Sequence, residues 1–176
     1  MKRIYRIVLM PSTVLPAVLL VIMPVVLLVT SAPATAQTTD HSTDHDDIMA
    51  AIDTFFEGFA AGDSTMMYSV VDRESRLVIT ADDKDGNPTM TPLRMQDFIP
   101  IIIRPREEKI RETYWAPEIR VEENLAAVWL KYNLWIGDRI DHCGNDHLQL
   151  FRSTDGWKII AIADTQLRDG CTAHYE

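Results

Sequence analysis

An imidazole and a carboxylate share one predicted strand face in the second half of the chain. His142 and Asp146 lie in a strand-like run between residues 139 and 151. Because successive side chains of a strand point to opposite faces, both residues share a face with Leu148 and Leu150. The two leucines indicate that this face is buried. The pattern therefore predicts two ionisable side chains that point into an apolar interior.

The chemistry that such a pair supports is proton transfer. An apolar environment disfavours the charged form of a carboxyl group or an imidazole, and this moves the pKa toward neutrality, where general acid and base catalysis works best. Under this hypothesis Asp146 is the general base, and His142 orients a substrate oxygen or returns the proton. The alternative is structural: His142 bonds to a nearby carbonyl, and Asp146 bonds to backbone amides at a bulge near Gly144.

Further side chains complete the hypothetical ligand site. Tyr132 and Tyr114 are candidate donors to a developing oxyanion. Asp164 is a candidate partner of either ionisable group, with a pairing to Arg168 as the alternative. The candidate wall residues of the pocket are Phe55, Phe59 and Trp135.

We predict no metal and no cofactor at this site. His142, Asp146 and His147 are the nearest approach to a ligand set. Alternation sends His147 to the opposite face of the strand, so the three side chains cannot converge on one ion.

The turn before the last predicted strand decides which residue faces Asp146. Ser153-Thr154-Asp155-Gly156 is typical of a hairpin turn, because Asp-Gly tolerates the positive φ of a tight reversal. A three-residue loop, 154 to 156, pairs Ser153 with Trp157 and places Asp164 opposite Asp146. A two-residue loop of Asp155 and Gly156 turns Asp164 outward. We favour the three-residue loop, because it gathers on one face Leu148, Leu150, Ile160 and Ile162.

The first 36 residues have the pattern of an export signal. Three basic residues, Lys2, Arg3 and Arg6, precede an almost wholly apolar run at residues 7 to 29, and Ala34-Thr35-Ala36 matches a signal-peptidase site. We predict cleavage after this tripeptide and export to the periplasm or the extracellular space. An uncleaved membrane anchor is the alternative, because the apolar run approaches the length of a bilayer span.

The remaining residues are predicted to form a linker and one domain. Residues 37 to 46 are polar and lack large hydrophobic side chains, which is typical of a disordered linker. Residues 47 to 176 are sufficient for a single core. Cleavage would remove three of the 17 basic residues and none of the 26 acidic ones, and the net charge would become −12. Such a surface repels nucleic acid and anionic membranes, so neither is an expected partner.

Cys143 and Cys171 are the only two cysteines of the chain. In an oxidising compartment such a pair more often forms a disulfide than two free thiols. The bridge would tie the C-terminal tail to the sheet and would contribute on the order of 3 kcal/mol. A metal site that combines Cys143 with His142 or His147, or a nucleophilic thiol, is the alternative.

Hydrophobic periodicity predicts three helices and a sheet. The first helix runs from about residue 46 to residue 62, Asp63 caps a shorter second helix, and Thr91-Pro92 opens the third. A strand at residues 76 to 80 lies between the second helix and the third. From residue 109 onward the alternation is that of four or five antiparallel strands. This order predicts an α+β fold, with the helices on one face of a curved sheet.

The element order and three stretches resemble the nuclear transport factor 2-like superfamily. The stretches are Asn124–Tyr132, His142–Leu150 and Asp155–Ile159. The similarity covers roughly residues 47 to 171 and is closest to the SnoaL-like and lumazine-binding-like branch of small secreted bacterial proteins. The resemblance implies a cone-shaped, cystatin-like roll, in which a curved antiparallel sheet wraps around about three helices and leaves a pocket at the wide end. It also implies that two copies often pair through their sheets.

The same superfamily contains enzymes and non-catalytic modules, so the fold alone does not decide the function. Its enzymes include ketosteroid isomerase, scytalone dehydratase, polyketide cyclases and limonene epoxide hydrolase. We therefore expect an exported protein that binds a small apolar ligand, with acid/base catalysis of the isomerase, dehydratase or cyclase type. A non-catalytic ligand-binding or protein-interaction module is the alternative. Trp129, on the outer face of the sheet, is a candidate contact in a homodimer.

Overall fold

The computed structural model describes residues 42 to 174. The predicted export signal, its cleavage site and the first part of the predicted linker lie outside the described residues. The described helices are α1 (Ser42–Ala61), α2 (Ser64–Val70) and α3 (Met95–Ile102). The described strands are β1 (Val71–Asp82), β2 (Pro88–Arg94), β3 (Ile110–Glu122), β4 (Leu125–Ile136), β5 (Arg139–Ser153) and β6 (Gly156–Gln166).

The strands form one curved sheet in the order β2-β1-β6-β5-β4-β3. Strands β3 to β6 form an antiparallel meander, and β1 pairs antiparallel with β2. Strand β6, the last strand of the meander, runs in the same direction as its neighbour β1, so these two strands pair in parallel. The predicted α+β roll is confirmed, but the sheet is mixed rather than wholly antiparallel.

The hydrophobic core lies between α1 and the inner face of the sheet. Helix α1 contributes apolar residues at helical spacing, among them Ile48, Ile52 and Phe55, and the alternating residues Leu148 and Leu150 of β5 meet them. Burial of each such side chain stabilises the fold by about 1.5–3 kcal/mol relative to exposure. The inner face predicted for β5 is therefore the core face.

Helix α1 begins at Ser42, so the last five residues of the predicted linker are helical rather than disordered. Asp44, in the first turn, is buried and forms an ion pair with Arg152 of β5. The Arg152 guanidinium also lies over the Trp157 ring, 4.7 Å from its centroid. The ion pair with Arg152 thus orders residues 42 to 46, and the local sequence does not predict this tertiary contact.

The second helix begins as predicted and the third does not. Asp63 caps α2, since its carboxylate accepts two backbone N–H bonds. Thr91 and Pro92 do not open α3: they lie in β2, and α3 starts at Met95. Strand β2 is at the edge of the sheet, where the missing N–H of a proline leaves no ladder bond unmade.

The turn between β5 and β6 differs from both predicted loops. Its two residues are Thr154 and Asp155, and Ser153 pairs with Gly156 rather than with Trp157. Gly156 has a φ of +98°, which fits the predicted left-handed glycine. The favoured register at the turn was therefore wrong.

A bulge further along the hairpin restores the predicted pairing. Gln149 pairs with Ala161 and Leu150 with Ile159, so β6 has one extra residue at this point. Beyond the bulge, Asp146 faces Asp164, as expected from the three-residue loop. The extra residue shifts the alternation of β6 by one position. Beyond the bulge, the side chains of β6 therefore lie on the faces predicted from the three-residue loop.

The C-terminal segment, residues 167 to 174, is held against the outer face of the sheet. The predicted disulfide between Cys143 and Cys171 is present. The side-chain amide of Asn133 donates to the carbonyl of Thr172 at 3.1 Å, and the His174 ring stacks on Trp115 with 4.5 Å between centroids. We call this segment the C-terminal strap.

Candidate functional site

Three carboxyl groups meet on the inner face of the sheet. Asp146 of β5 lies directly opposite Asp164 of β6, and a hydrogen bond joins the carboxyl groups of Asp146 and Glu112 of β3. Tyr132 of β4 donates from its hydroxyl to Asp164 at 3.3 Å and to the carbonyl of Thr165 at 3.0 Å. We call Glu112, Asp146 and Asp164 the carboxyl cluster.

Strand alternation places the cluster inside the fold. Asp146 is two residues from Leu148 and Asp164 two residues from Ile162, so both share the core face, and only 4% and 9% of their surfaces are exposed. Glu112 lies on the edge strand and part of its surface remains exposed. Its carboxyl group is nevertheless turned inward to Asp146 and is desolvated.

Burial makes every member of the cluster a weaker acid than usual. Desolvation, followed by the charge of Asp164, raises the pKa of Asp146 to about 8. Desolvation, followed by the charge of Asp146, raises the pKa of Glu112 well above its usual range. Desolvation also raises the pKa of Asp164, although hydrogen bonds from Gln166 and Tyr132 oppose this shift. At neutral pH Asp146 is therefore mostly protonated, so its carboxyl group can donate a hydrogen bond as well as accept one.

One oxygen of Asp164 lacks a hydrogen-bond partner among the described residues. Its Oδ2 accepts from Tyr132 and, at 3.2 Å, from the side-chain amide of Gln166, whereas Oδ1 is buried and unpartnered. Leaving a buried polar atom unsatisfied costs about 1–3 kcal/mol. A water molecule or another polar group from outside the chain would satisfy this oxygen.

Gly144 allows the close packing that the site requires. A Cβ atom at this position would lie 1.7 Å from the carbonyl oxygen of Thr165, the same oxygen that accepts from Tyr132. Only a residue without a side chain lets β5 and β6 approach this closely. The cluster thus depends on a glycine that takes no part in the chemistry.

His142 is buried next to the cluster, but it bonds to Asp141 rather than to Asp164. Its Nδ1 lies 2.9 Å from Oδ2 of Asp141, and its ring contacts the Tyr132 ring edge-on with 5.7 Å between centroids. The hydrogen bond with His142, together with the charges of Arg168 and Arg139, lowers the pKa of Asp141. The imidazole is therefore held by an ionised neighbour on its own strand.

Of the three partners predicted for Asp164, Asp146 lies directly opposite it, whereas Arg168 and His142 bond elsewhere. Arg168 lies 3.6 Å from Asp141, not beside Asp164. His142 is hydrogen bonded through Nδ1 to Asp141 rather than to Asp164. Sequence reasoning missed Asp141 as the partner of His142, because adjacent residues of a regular strand point to opposite faces. The pairing of β4 with β5 shifts register between Leu134 and Trp135, and this irregularity brings the two adjacent side chains together.

An open cleft of about 340 Å³ lies between α1 and β3. We call it the entrance cleft, because Glu112 belongs both to its lining and to the carboxyl cluster. The hydroxyl of Tyr114 hydrogen bonds to Asp53, and the Phe56 and Tyr114 rings lie 5.1 Å apart. The cleft is lined by Asp53, Phe56, Glu57, Ala60, Arg111, Glu112, Thr113 and Tyr114.

The three predicted wall residues lie elsewhere. Phe55 is buried in the core, and Phe59 lines a separate cavity of about 250 Å³ at the end of α1. Trp135 lies directly opposite Arg111, on the face away from the cluster, where its indole N–H donates to Thr113 at 3.0 Å. The structure thus brings Asp146, Asp164, His142 and Tyr132 together, and places Tyr114 at the entrance.

Sequence reasoning did not identify Glu112 as a site residue. The available signal was its position two residues before Tyr114 in the same predicted strand, which puts both on one face. A charged residue between Arg111 and Thr113 on an edge strand is more often solvated than buried. Sequence reasoning also missed Asp53 and Glu57, because the packing of α1 on β3 is a tertiary contact.

The described chain offers no metal centre and no membrane span. Within residues 42 to 174, no three side chains of His, Cys, Asp or Glu are grouped in a way that would hold a metal ion. Over the same residues, none of the helices combines the length and the hydrophobicity needed to cross a bilayer.

Comparison with known proteins identifies the family. A family model described as "Putative lumazine-binding" matches residues 43–163, more than half of the chain. The chain belongs to this family. Its fold is that of the nuclear transport factor 2-like superfamily. None of the curated proteins matches the chain significantly.

Several solved structures share the fold of this family member. A nuclear transport factor 2-like protein of unknown function from Shewanella baltica is 15% identical, with a TM-score of 0.57 over 73% of this chain and 98% of that one. A "putative dehydratase" from Streptomyces avermitilis is 16% identical, with a TM-score of 0.54 over 71% and 97%. The beta subunit of a "putative aromatic-ring-hydroxylating dioxygenase" from Novosphingobium aromaticivorans is 11% identical, with a TM-score of 0.57 over 70% and 89%. At these identities the likeness establishes the fold alone.

Proposed function

We propose that the protein binds a small molecule at the carboxyl cluster and exchanges a proton with it. The observation that supports this function is a buried group of three carboxyls in which the pKa of Asp146 is raised to about 8. A group that titrates near neutral pH gives and takes protons at comparable cost. The unpartnered oxygen of Asp164 supports a polar contact to the ligand.

The proposed roles follow from the protonation states. At neutral pH most of Asp146 is protonated, so it acts first as a general acid; its ionised fraction is the general base predicted from the sequence. Glu112 connects Asp146 with the entrance cleft and passes protons between them. His142, held by Asp141, orients a substrate oxygen. The reaction class that these roles suit is an isomerisation, dehydration or cyclisation, in which a proton leaves one atom next to a carbonyl and enters at another.

A non-catalytic binding module is the second candidate function. The observation that favours it is that Glu112, and neither Asp146 nor Asp164, lines the entrance cleft. A ligand that stops at Glu112 would be bound without reaching the proposed acid. The neighbour described as a dehydratase is compatible with the catalytic function, but its fold supports either one.

Hydrogen–deuterium exchange in model ketones distinguishes the catalytic function from the non-catalytic binding function. The protein is incubated with cyclic ketones and enones in deuterated water, and nuclear magnetic resonance follows deuterium at carbons next to the carbonyl. We expect Asp146→Asn to lower this exchange by roughly 10²–10⁴-fold, the usual contribution of a general acid or base. Asp138→Asn, an exposed substitution in the β4–β5 turn, is the control and should change nothing. Equal exchange by the wild type and Asp146→Asn would remove Asp146 from the mechanism.

We also propose that the protein works after export. The disulfide between Cys143 and Cys171 supports this location, because such bonds persist in oxidising compartments. N-terminal sequencing of the protein from the native cell envelope and medium is expected to give a chain that starts at Gln37. A chain that retains residues 1 to 36 would instead support the anchored form.

A further inference from the structure

A second cavity lies on the outer face of the sheet, opposite to the face that carries the carboxyl cluster. It has a volume of about 250 Å³ and lies between the C-terminal strap and strands β3, β4 and β5. Pockets for drug-sized ligands have volumes of roughly 300–1,000 Å³, so this cavity suits a smaller molecule. We call it the strap cavity. Its lining includes Trp115, Lys131, Asn133, Leu167 and Thr172.

Strand alternation directs two polar side chains of β4 toward the strap cavity. Lys131 and Asn133 are two residues apart, so both lie on the outer face, opposite to the face of Tyr132. On the neighbouring strand Lys131 faces Asn145, and Asn133 faces Cys143. Two residues of a strand span about 6–7 Å. The strap cavity thus has a cation and an amide at a spacing that one small molecule can bridge.

Asn133 presents a buried hydrogen-bond acceptor at the wall of the strap cavity. The residue is fully buried, and its Nδ2 donates to the carbonyl of Thr172 at 3.1 Å. Because the nitrogen has this acceptor, the other end of the amide is the oxygen, and Oδ1 has no hydrogen-bond partner within residues 42 to 174. A buried acceptor without a donor is unfavourable. An N–H or O–H group of a bound molecule would satisfy it.

Lys131 determines the charge of the strap cavity. It is the one charged side chain among the described residues that line the cavity, and it is exposed, so its ammonium group can reach a ligand at the mouth. The chain as a whole has a net charge of −9, so its overall charge does not attract an anion. Recognition of an anionic group would therefore depend on this lysine.

The remaining wall of the strap cavity includes apolar groups. Trp115 contributes an indole ring, which stacks on His174 of the strap, and Leu167 contributes an aliphatic side chain that is 53% exposed. The disulfide between Cys143 and Cys171 holds the strap beside these groups. The cavity therefore combines an acceptor, a cation and apolar surface.

We propose that the strap cavity binds a small 2-hydroxy carboxylate, whose hydroxyl donates to Oδ1 of Asn133 and whose carboxylate lies against Lys131. The apolar part of the ligand packs against Trp115 and Leu167. A hydroxyl is a better donor here than the ammonium group of an amino acid, because the latter would bring a second cation beside Lys131. This site is separate from the proton exchange proposed for the carboxyl cluster, which lies on the other face of the sheet.

Isothermal titration calorimetry with three aromatic probes tests the proposal. The probes are mandelate, phenylacetate, which lacks the hydroxyl, and 1-phenyl-1,2-ethanediol, which lacks the carboxylate. They are titrated into the purified, unreduced protein at neutral pH. We expect mandelate to bind about three- to ten-fold more tightly than phenylacetate, the effect of one net hydrogen bond. It should bind roughly two- to five-fold more tightly than the diol, the effect of one exposed ion pair.

Matched variants assign each part of the preference to a residue. Lys131→Gln should weaken mandelate roughly two- to five-fold and leave the diol unchanged. Lys84→Gln, an exposed lysine in the β1–β2 turn, is the control and should change neither affinity. Asn133→Leu removes the acceptor at similar volume, so mandelate and phenylacetate should bind this variant equally. Thermal melting shows whether each variant is folded, and the Lys131 comparison stands even if Asn133→Leu is not.

Nuclear magnetic resonance locates the bound mandelate. In amide spectra of the ¹⁵N-labelled protein, we expect the largest shifts at Leu167, Gly170 and Thr172, which line the strap cavity. Asp53 and Glu57, which line the entrance cleft, should not shift. Shifts confined to the entrance cleft would overturn the strap-cavity site and would instead support binding at the inner face.

The other outcomes also decide the proposal. Equal affinity of the wild type for mandelate and phenylacetate would show that Asn133 accepts no bond from the ligand, and this would overturn the inference. An affinity for mandelate that is the same in Lys131→Gln and the wild type would also overturn it. If none of the probes binds at millimolar concentration, the inference fails and water is left to satisfy the Asn133 oxygen. None of these results affects the carboxyl cluster, which the deuterium exchange of ketones tests separately.

Discussion

At the scale of single residues, the raised pKa of Asp146 has a consequence for stability. Folding moves the pKa of this carboxyl from about 4 in the unfolded chain to about 8. Between these two pH values the folded protein binds more protons than the unfolded chain, so its stability falls as the pH rises. We expect the melting temperature to be higher near pH 5 than near pH 9.

The isosteric variant Asp146→Asn isolates this effect. An asparagine resembles the protonated acid and does not ionise, so the variant should match the wild type near pH 5 and exceed its stability near pH 9. Thermal melts at half-unit steps across this range measure both curves. Asp138→Asn, exposed in a turn, should follow the wild type throughout. Parallel curves for Asp146→Asn and the wild type would show that Asp146 is not a buried acid.

Part of this site was predictable from single residues and part was not. Alternation along β5 was sufficient to place His142 and Asp146 on the core face, because a regular strand has a period of two. It was not sufficient to find Glu112, whose burial depends on the curvature that brings β3 over β5. The partner of His142 also escaped prediction, since a local irregularity brings in Asp141 from the adjacent position.

At the scale of elements, an ion pair fixes the start of α1. Asp44 is buried and pairs with Arg152 of β5, so the helix is joined to the β5–β6 hairpin at its first turn. Replacing the buried Asp44 carboxylate removes a charge-assisted hydrogen bond to the partly exposed Arg152, and such a bond contributes about 1.5–3 kcal/mol. We expect Asp44→Asn to lower the free energy of unfolding by this amount in urea titrations.

The control for Asp44→Asn lies on the same helix. Asp46 is exposed, so Asp46→Asn should change the unfolding free energy by less than about 0.5 kcal/mol. The two variants remove the same charge from positions two residues apart at the start of α1. Equal destabilisation by both would attribute the effect to net charge rather than to the contact with Arg152.

The C-terminal strap gives a second prediction at this scale. The disulfide between Cys143 and Cys171 closes a loop with a sequence separation of 28 residues. Its loss should destabilise the protein by on the order of 3 kcal/mol, because the unfolded chain regains freedom. We expect dithiothreitol to lower the melting temperature of the wild type.

The double variant Cys143→Ser, Cys171→Ser is the reference for the strap. It should melt close to the reduced wild type and should not respond to dithiothreitol. Mass spectrometry of the unreduced wild type should show the loss of two hydrogens relative to the reduced chain. A wild type with two free thiols would contradict the bridge.

The β5–β6 hairpin was predicted only in part from the sequence. Turn chemistry located the reversal at residues 153 to 156, because Asp-Gly favours it, but it did not select the loop length. The strand faces were nonetheless correct near Asp164, since the requirement to bury leucine and isoleucine outweighs the local turn. The bulge that makes the two-residue turn compatible with these strand faces has no sequence signal of its own in β6.

At the scale of the whole molecule, the outer face of the sheet exposes several large apolar side chains. Leu125, Trp129 and Phe151 are 51%, 53% and 46% exposed, and they lie on the adjacent strands β4 and β5. Leu125 pairs with Phe151, and Trp129 pairs with His147, whose ring stacks on it with 4.6 Å between centroids. Exposed apolar patches on adjacent strands are typical of interaction surfaces.

We predict that this patch, formed by Leu125, Trp129, His147 and Phe151, joins two copies of the chain. Two copies related by a two-fold axis bring the same patch together from both sides, and a stable interface buries about 800 Å² on each partner. Trp129→Glu places a charge at the centre of that contact and should convert a dimer to a monomer in sedimentation velocity. The substitution is exposed in the isolated chain, so the melting temperature of the monomer should be little changed.

Met90→Glu provides the comparison, because Met90 is 66% exposed on β2, away from the patch. A general effect of added negative charge would dissociate both variants, whereas a contact through the patch dissociates Trp129→Glu alone. A wild type that sediments as a monomer at its highest soluble concentration would leave the patch without this role. In that case the ligand site on the inner face would have to function within a single copy, since no residue of the carboxyl cluster lies on the outer face.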